Sequence, residues 1–83
     1  NGFSVSLFPN PMTESATLMI SDYRFKVADF IFQLFDVTVN CVKQFATRNP
    51  QFEIRKDDLP AGIYFYKISA ENELFNSGKL IIQ

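Results

Sequence analysis

The sequence predicts an all-β fold, an antiparallel β-sandwich of about seven short strands with Greek-key-like connections. Three observations carry that reading. Apolar residues recur with period two along most of the 83 residues, turn-forming residues interrupt them at short intervals, and no stretch has a convincing helical period. The length is that of one domain, residues 1–83, with a single modest core.

Taken in order, Phe3, Val5 and Leu7 alternate with Ser4 and Ser6, so the chain opens on a half-buried strand. Pro9-Asn10-Pro11 ends it: each proline removes a donor, and Asn10 is held extended by the proline that follows. From the residues alone, this segment is an ordinary exit from a sheet edge. Ala16, Leu18 and Ile20, alternating with Ser15, Thr17 and Met19, give the second strand, closed by Ser21-Asp22. The run RFKVADFIFQLFD (24–36) gives a long third strand with Phe30, Phe32 and Leu34 on one face, and VNCVKQFA (39–46) a fourth. After Asn49-Pro50, QFEIRK (51–56) turns Phe52 and Ile54 inward.

Pro60 to Gly62 then set a turn, and GIYFYKISA (62–70) follows as a strand whose consecutive aromatics suggest burial on both faces. Tyr64 and Tyr66 share one side and Phe65 takes the other. Tyr64, four residues after Pro60, is placed as a corner tyrosine whose hydroxyl bonds backbone near the turn. Beyond a turn at Glu71 to Glu73, SGKLIIQ (77–83) is the seventh strand, with Leu80 and Ile82 inward and Lys79 and Gln83 in water. The expected core is Phe30, Phe32, Leu34, Phe52, Ile54 and Phe65.

Charge and composition narrow the function. The formal net charge is −1 and the basic residues are scattered singly, so no stripe follows a phosphate backbone and nucleic acid is not an expected partner. Asp29, Gln33 and Asp36 break the apolar runs well short of the roughly 20 residues a spanning helix requires, so no direct membrane insertion is expected. Asn-Gly-Phe-Ser-Val-Ser-Leu-Phe has neither the basic nor the apolar region of a signal peptide and reads as the continuation of a longer chain. With no His and one Cys, neither a nucleophile–base pair nor an imidazole or thiolate metal site can be assembled. Cys41 reads as a small, half-buried hydrophobe. Asp57-Asp58 with Glu71 and Glu73 match no calcium loop and read as solvated charge. No catalytic, cofactor or metal residue is expected, and no cofactor.

LFPNPMTESATLMI, FQLFDVTVNCVKQF, LPAGIYFYKI and GKLIIQ, in this order and at these distances, resemble the C-terminal sorting domain of the type IX secretion system, type A, over essentially the whole chain. The resemblance implies an Ig-like sandwich of seven strands behind a catalytic or adhesive cargo in Bacteroidetes-type bacteria. It implies a role as an address label, which directs the folded cargo from the periplasm through the outer-membrane translocon to the cell surface or medium. A surface sortase then cuts ahead of the domain. The implied partners are that translocon, the outer-membrane shuttle and sortase proteins, and the N-terminal cargo of the same precursor. Pro9, Asn10 and Pro11 match the opening motif, Gly62, Tyr64 and Phe65 the central block, and Gly78, Lys79, Leu80 and Ile81 the closing one. Pro9, Asn10, Pro11, Gly62, Tyr64, Gly78, Lys79, Leu80 and Ile81 are the candidates for translocon recognition.

One block departs from the family pattern. Where an Asp-x-x-Gly-Arg turn is usual, this chain has DVTVN, with Val39 at the glycine position and Asn40 at the arginine position. A β-branched residue resists positive φ, so the expectation is a turn longer than two residues in which Val39 avoids that region. A fibronectin-type or carbohydrate-binding accessory sandwich of a secreted enzyme shares the strand pattern and the corner tyrosine. It does not require a fixed signature at the chain terminus.

Overall fold

Alternation between apolar and polar side chains makes each strand two-faced, and two sheets form so that the apolar faces can meet. A computed structural model describes residues 4–21, 29–70 and 73–83, with side chains in the last segment described from residue 76. Seven strands appear in it: β1 (Val5–Phe8), β2 (Ser15–Ile20), β3 (Phe30–Phe35), β4 (Cys41–Thr47), β5 (Gln51–Arg55), β6 (Gly62–Ala70) and β7 (Glu73–Ile82). β1-β2-β5 form one sheet and β4-β3-β6-β7 the other, and every strand pair is antiparallel. The arrangement is the expected Ig-like sandwich. Phe3, Asp22, the 24–28 portion of the expected third strand and Glu71 lie outside the described residues.

The inner face of the smaller sheet contributes Ala16, Leu18, Ile20 and Ile54, all buried. Opposite them stand Phe30, Phe32 and Leu34 from β3, Tyr64, Tyr66 and Ile68 from β6, and Leu80 and Ile82 from β7. Phe32 is the hub. Its ring lies 5.3 Å from Phe45, 5.7 Å from Phe52 and 6.1 Å from Tyr66, and Phe45 meets Phe52 edge-on at 5.3 Å. Tilted, offset and edge-to-face contacts of this kind add to the burial of area. Phe52 itself is only partly buried, although Ile54 two residues on along the same edge strand is fully buried.

Three expectations are corrected here. Phe65 is 46% exposed, not part of the core, and Ile63 is equally exposed. Among the described residues the four-stranded sheet is covered on one side only, so the period of two that buries Tyr64 and Tyr66 sends Ile63, Phe65 and Lys67 outward. Cys41 is exposed, since it opens the edge strand β4 just after a hairpin. And β7 starts at Glu73 rather than near residue 77, with Leu74 paired to Ser69 and Asn76 to Ile68 across an irregularity in register.

The β3–β4 hairpin also differs from expectation. Its loop is longer than two residues, as the sequence suggests, but Val39 has φ of 69°. Val39 N–H donates to Asp36 O at 2.9 Å and Asp36 N–H to Asn40 O at 3.0 Å, the pattern of a type I turn followed by a left-handed residue. The Asp36 carboxylate holds it there. One of its oxygens accepts from Thr38 N–H at 2.9 Å, Thr38 Oγ1 at 2.7 Å and Asn40 N–H at 3.1 Å. Asn40 Nδ2 in turn donates to Thr38 Oγ1 at 2.9 Å. Four bonds converging on one short loop over-determine its backbone, so the steric preference of valine loses.

Those bonds, the Thr38 hydroxyl foremost and then Asn40 N–H, hold the Asp36 carboxyl below the usual carboxylate range. A folded-state value below the unfolded one means that the contribution to stability is complete above that range. It is lost as pH falls through the lowered value.

Val39→Gly is expected to stabilise the protein by about 1 kcal/mol, the relief of a left-handed β-branched residue less the added unfolded-state entropy of glycine. Urea denaturation at neutral pH reads this as a higher midpoint at unchanged slope. An unchanged or lower midpoint would mean that Val39 carries no strain.

Candidate functional site

A sandwich that ends on an edge strand leaves a row of unpaired N–H and C=O groups, and something must occupy them. β7 is such a strand. The segment after β1 reaches across to it. Met12 N–H donates to Ile81 O at 2.8 Å and Gln83 N–H donates to Met12 O at 2.8 Å, so Met12 pairs with Ile82 as a parallel bridge. Two residues earlier, Asn10 Nδ2 donates to Lys79 O at 2.8 Å and Ile81 N–H donates to Asn10 Oδ1 at 3.0 Å.

In a parallel ladder, one residue donates to the carbonyl on one side of its partner and accepts from the N–H on the other. Met12 does this with its backbone. Asn10 does it with its side-chain amide, one donor and one acceptor standing where peptide groups would be. Together they close β7 at Lys79, Ile81 and Gln83. The prolines on either side have no N–H to offer, so Pro9 and Pro11 bring the chain alongside without starting a full strand that could template further pairing. The Pro-Asn-Pro segment is thus more than an exit from β1. It spans from one sheet to the free edge of the other, and the side chain of Met12 is fully buried beneath it.

The other candidates gather around this contact. Gly62 is the β6 partner of Ile82 and Tyr64 that of Leu80, so the opening, central and closing motifs meet at one end of the four-stranded sheet. Gly62 has φ of 157°, and although open space surrounds the position of an added Cβ, that backbone suits glycine alone. Tyr64 is buried and its hydroxyl donates to Pro60 O at 2.6 Å, the corner expected from the sequence. Leu80 is fully buried and Ile81 half-buried.

Gly78 pairs with Tyr66, and a Cβ there would lie 2.5 Å from the Tyr66 hydroxyl oxygen and 2.6 Å from Cζ. The ring of Tyr66 lies across the glycine and stacks on Phe32, so it cannot easily swing away. Burial also pushes the Tyr66 phenol above its ordinary pKa. Lys79 is exposed, and among the described residues nothing pairs with its ammonium. Lys56 Nζ reaches the carbonyl of Gln83 at 3.3 Å and fastens the last residue from the opposite sheet's side.

Of the nine candidates, then, Tyr64 and Leu80 are core, while Gly62 and Gly78 are backbone requirements. Asn10 is a structural clamp, Pro9, Pro11 and Lys79 present exposed surface, and Ile81 is clamped by its backbone with a half-buried side chain. Sequence reasoning passed over Met12, whose only signal was an apolar residue directly after Pro-Asn-Pro. It also treated Phe65 as core and so passed over the apolar surface outside the sheet.

The sequence matches the family model described as the secretion system C-terminal sorting domain over residues 6–83. No curated relative matches it. Among solved structures, it is similar to dimeric latent PorU from Porphyromonas gingivalis, with a TM-score of 0.69 and 22% identity over 96% of this chain and 9% of that one. It is also similar to domains d3–d4 of the rat CD45 extracellular region, with a TM-score of 0.59 and 16% identity over 98% of this chain and 46% of that one. These likenesses are of fold.

Asn10→Ala removes both side-chain bonds to β7 and is expected to destabilise the protein by about 1–2 kcal/mol. Asn10→Asp keeps the acceptor for Ile81 N–H but sets a carboxylate against Lys79 O, and is expected to cost at least as much. Thermal denaturation at neutral pH checks both; melting temperatures equal to wild type would mean that the clamp carries no energy. With its opening, central and closing motifs assembled on one sheet end and the family match running from residue 6 to residue 83, the chain belongs to the secretion system C-terminal sorting domains, the non-catalytic sorting signals of type IX secretion.

Proposed function

We propose that this chain carries a preceding cargo from the periplasm across the outer membrane through the type IX translocon, and that a surface sortase then cuts ahead of it. The family match over residues 6–83 carries the reading. The small share of the PorU chain that it resembles, 9%, supports a module appended to a longer protein. The described residues form no group of three or more His, Cys, Asp or Glu that could hold a metal ion.

Within the recognition candidates the labour divides. Asn10, Gly62, Tyr64, Gly78 and Leu80 build the end of the sheet; Pro9, Pro11 and Lys79 are the surface that the secretion machinery reads. Ile81 belongs to both groups, since its backbone is clamped while its side chain remains half-exposed. Shape and signal can therefore be separated at Lys79, whose side chain makes no contact that the fold requires.

A periplasmic reporter fused ahead of residues 1–83, in a host with this secretion system, is expected to reach the cell surface or medium. Lys79→Ala should leave the melting temperature within the range of a surface substitution, about 0.5 kcal/mol in stability, while reducing delivery. Retention of the wild-type fusion in the periplasm would refute the reading. Equal delivery of the variant would move recognition away from Lys79.

A further inference from the structure

The outer face of the four-stranded sheet carries apolar surface that the core does not use. Phe65 is flanked across the strands by Phe35 on β3 and Lys79 on β7. Val37 and Val39 at the hairpin tip are 66% and 75% exposed. Phe35, Asp36, Val37, Val39, Phe65 and Lys67 line one groove of about 190 Å³. That is below the usual size of a small-molecule pocket, about 300 Å³ and more, and is room for one or two side chains. A contiguous apolar patch with a polar rim marks an interaction surface.

The rim decides what fits. Lys67 Nζ stands 5.2 Å from the centre of the Phe35 ring, and Lys79 lies beside Phe65. Among the described residues neither ammonium has a carboxylate within salt-bridge distance. Asp36 is the one carboxylate lining the groove, and its hairpin already uses it. The groove is thus apolar, lined by one lysine and one carboxylate that its own hairpin engages, with a second lysine, Lys79, across from Phe65. A second copy seated face to face would offer these lysines only Asp36 from the groove lining, a carboxylate its own hairpin already engages, because a two-fold contact sets the same patch against itself. An anionic membrane surface is ordinarily bound by clusters of roughly 4–8 basic residues, and two are present here.

We propose that the groove between the β3–β4 hairpin and β6 is a docking site for a peptide segment of a partner protein, which inserts one or two apolar side chains beside Phe35 and Phe65 and sets carboxylates against Lys67 and Lys79. The sorting reading bears on which protein supplies the segment, not on its chemistry.

The probe is a fluorescent heptapeptide alternating glutamate with leucine, titrated to millimolar concentration into the isotope-labelled protein, beside an analogue with lysine for glutamate. Amide shifts are expected at residues 35–39, 63–67 and 79, from the glutamate peptide alone. Phe65→Thr and Lys67→Glu, both on the exposed face, should each weaken binding about tenfold at unchanged melting temperature. Failure of the glutamate peptide to bind, equal binding of both peptides, or shifts elsewhere would overturn the proposal. So would concentration-dependent dimerisation or binding to phosphatidylglycerol vesicles that alone perturbs these residues. The same variants in the reporter fusion keep the two readings apart. A wild-type fusion that stays in the periplasm counts against sorting while the titration still decides the groove; delivered wild type with no peptide binding counts against the groove alone.

Discussion

The closed edge of β7 is the constraint on which the rest of the structure depends. Met12 pairs with that strand through its backbone and Asn10 through its side chain, across 69 to 71 residues of sequence. This one contact joins the two sheets, since the segment leaves β1 in the smaller sheet, touches β7 in the larger, and returns to β2. It also hides an edge that would otherwise offer itself to any extended chain. Prolines serve the same end by withholding donors beside the clamp. An opening motif and a closing motif, far apart in the chain, are in this sense one structural unit.

The interior supports the clamp from below. Tyr66 covers Gly78, stacks on Phe32, and so connects β7 to the aromatic hub. Tyr64, bonded to Pro60, fixes the turn that leads β6 alongside Leu80 and Ile82. The salt bridge from Lys43 to Asp57 at 2.7 Å lies on the surface, where such pairs add little to stability. Burial and backbone pairing hold the end of the sheet, and Lys67 and Lys79 stand exposed on its outer face.

Much of this was legible in the sequence because half-buried strands write their faces as alternation. Ala16, Leu18 and Ile20 on β2, Phe30, Phe32 and Leu34 on β3, and the corner at Tyr64 all followed from spacing. Phe65 did not. Successive aromatics say that a strand is apolar on both sides, but not whether a second layer covers the outer one. Val39 failed for a different reason: its own preference is local, and the Asp36 carboxylate with its three donors overrides it. Among the candidate site residues, their gathering at one sheet end was not readable, because pairing between residues 10–12 and 79–83 leaves no local mark. Even the amide of Asn10, acting as a surrogate peptide, looks in sequence like a turn residue between prolines.

Hydrogen exchange of the Ile81 and Gln83 amides tests the clamp most directly. Both point away from β6, so without Asn10 and Met12 they would meet water. In the wild-type protein the two amides are predicted to exchange slowly, with protection like that of core amides in β6. Exchange as fast as that of an exposed edge strand at both positions, with β6 still protected, would contradict the account.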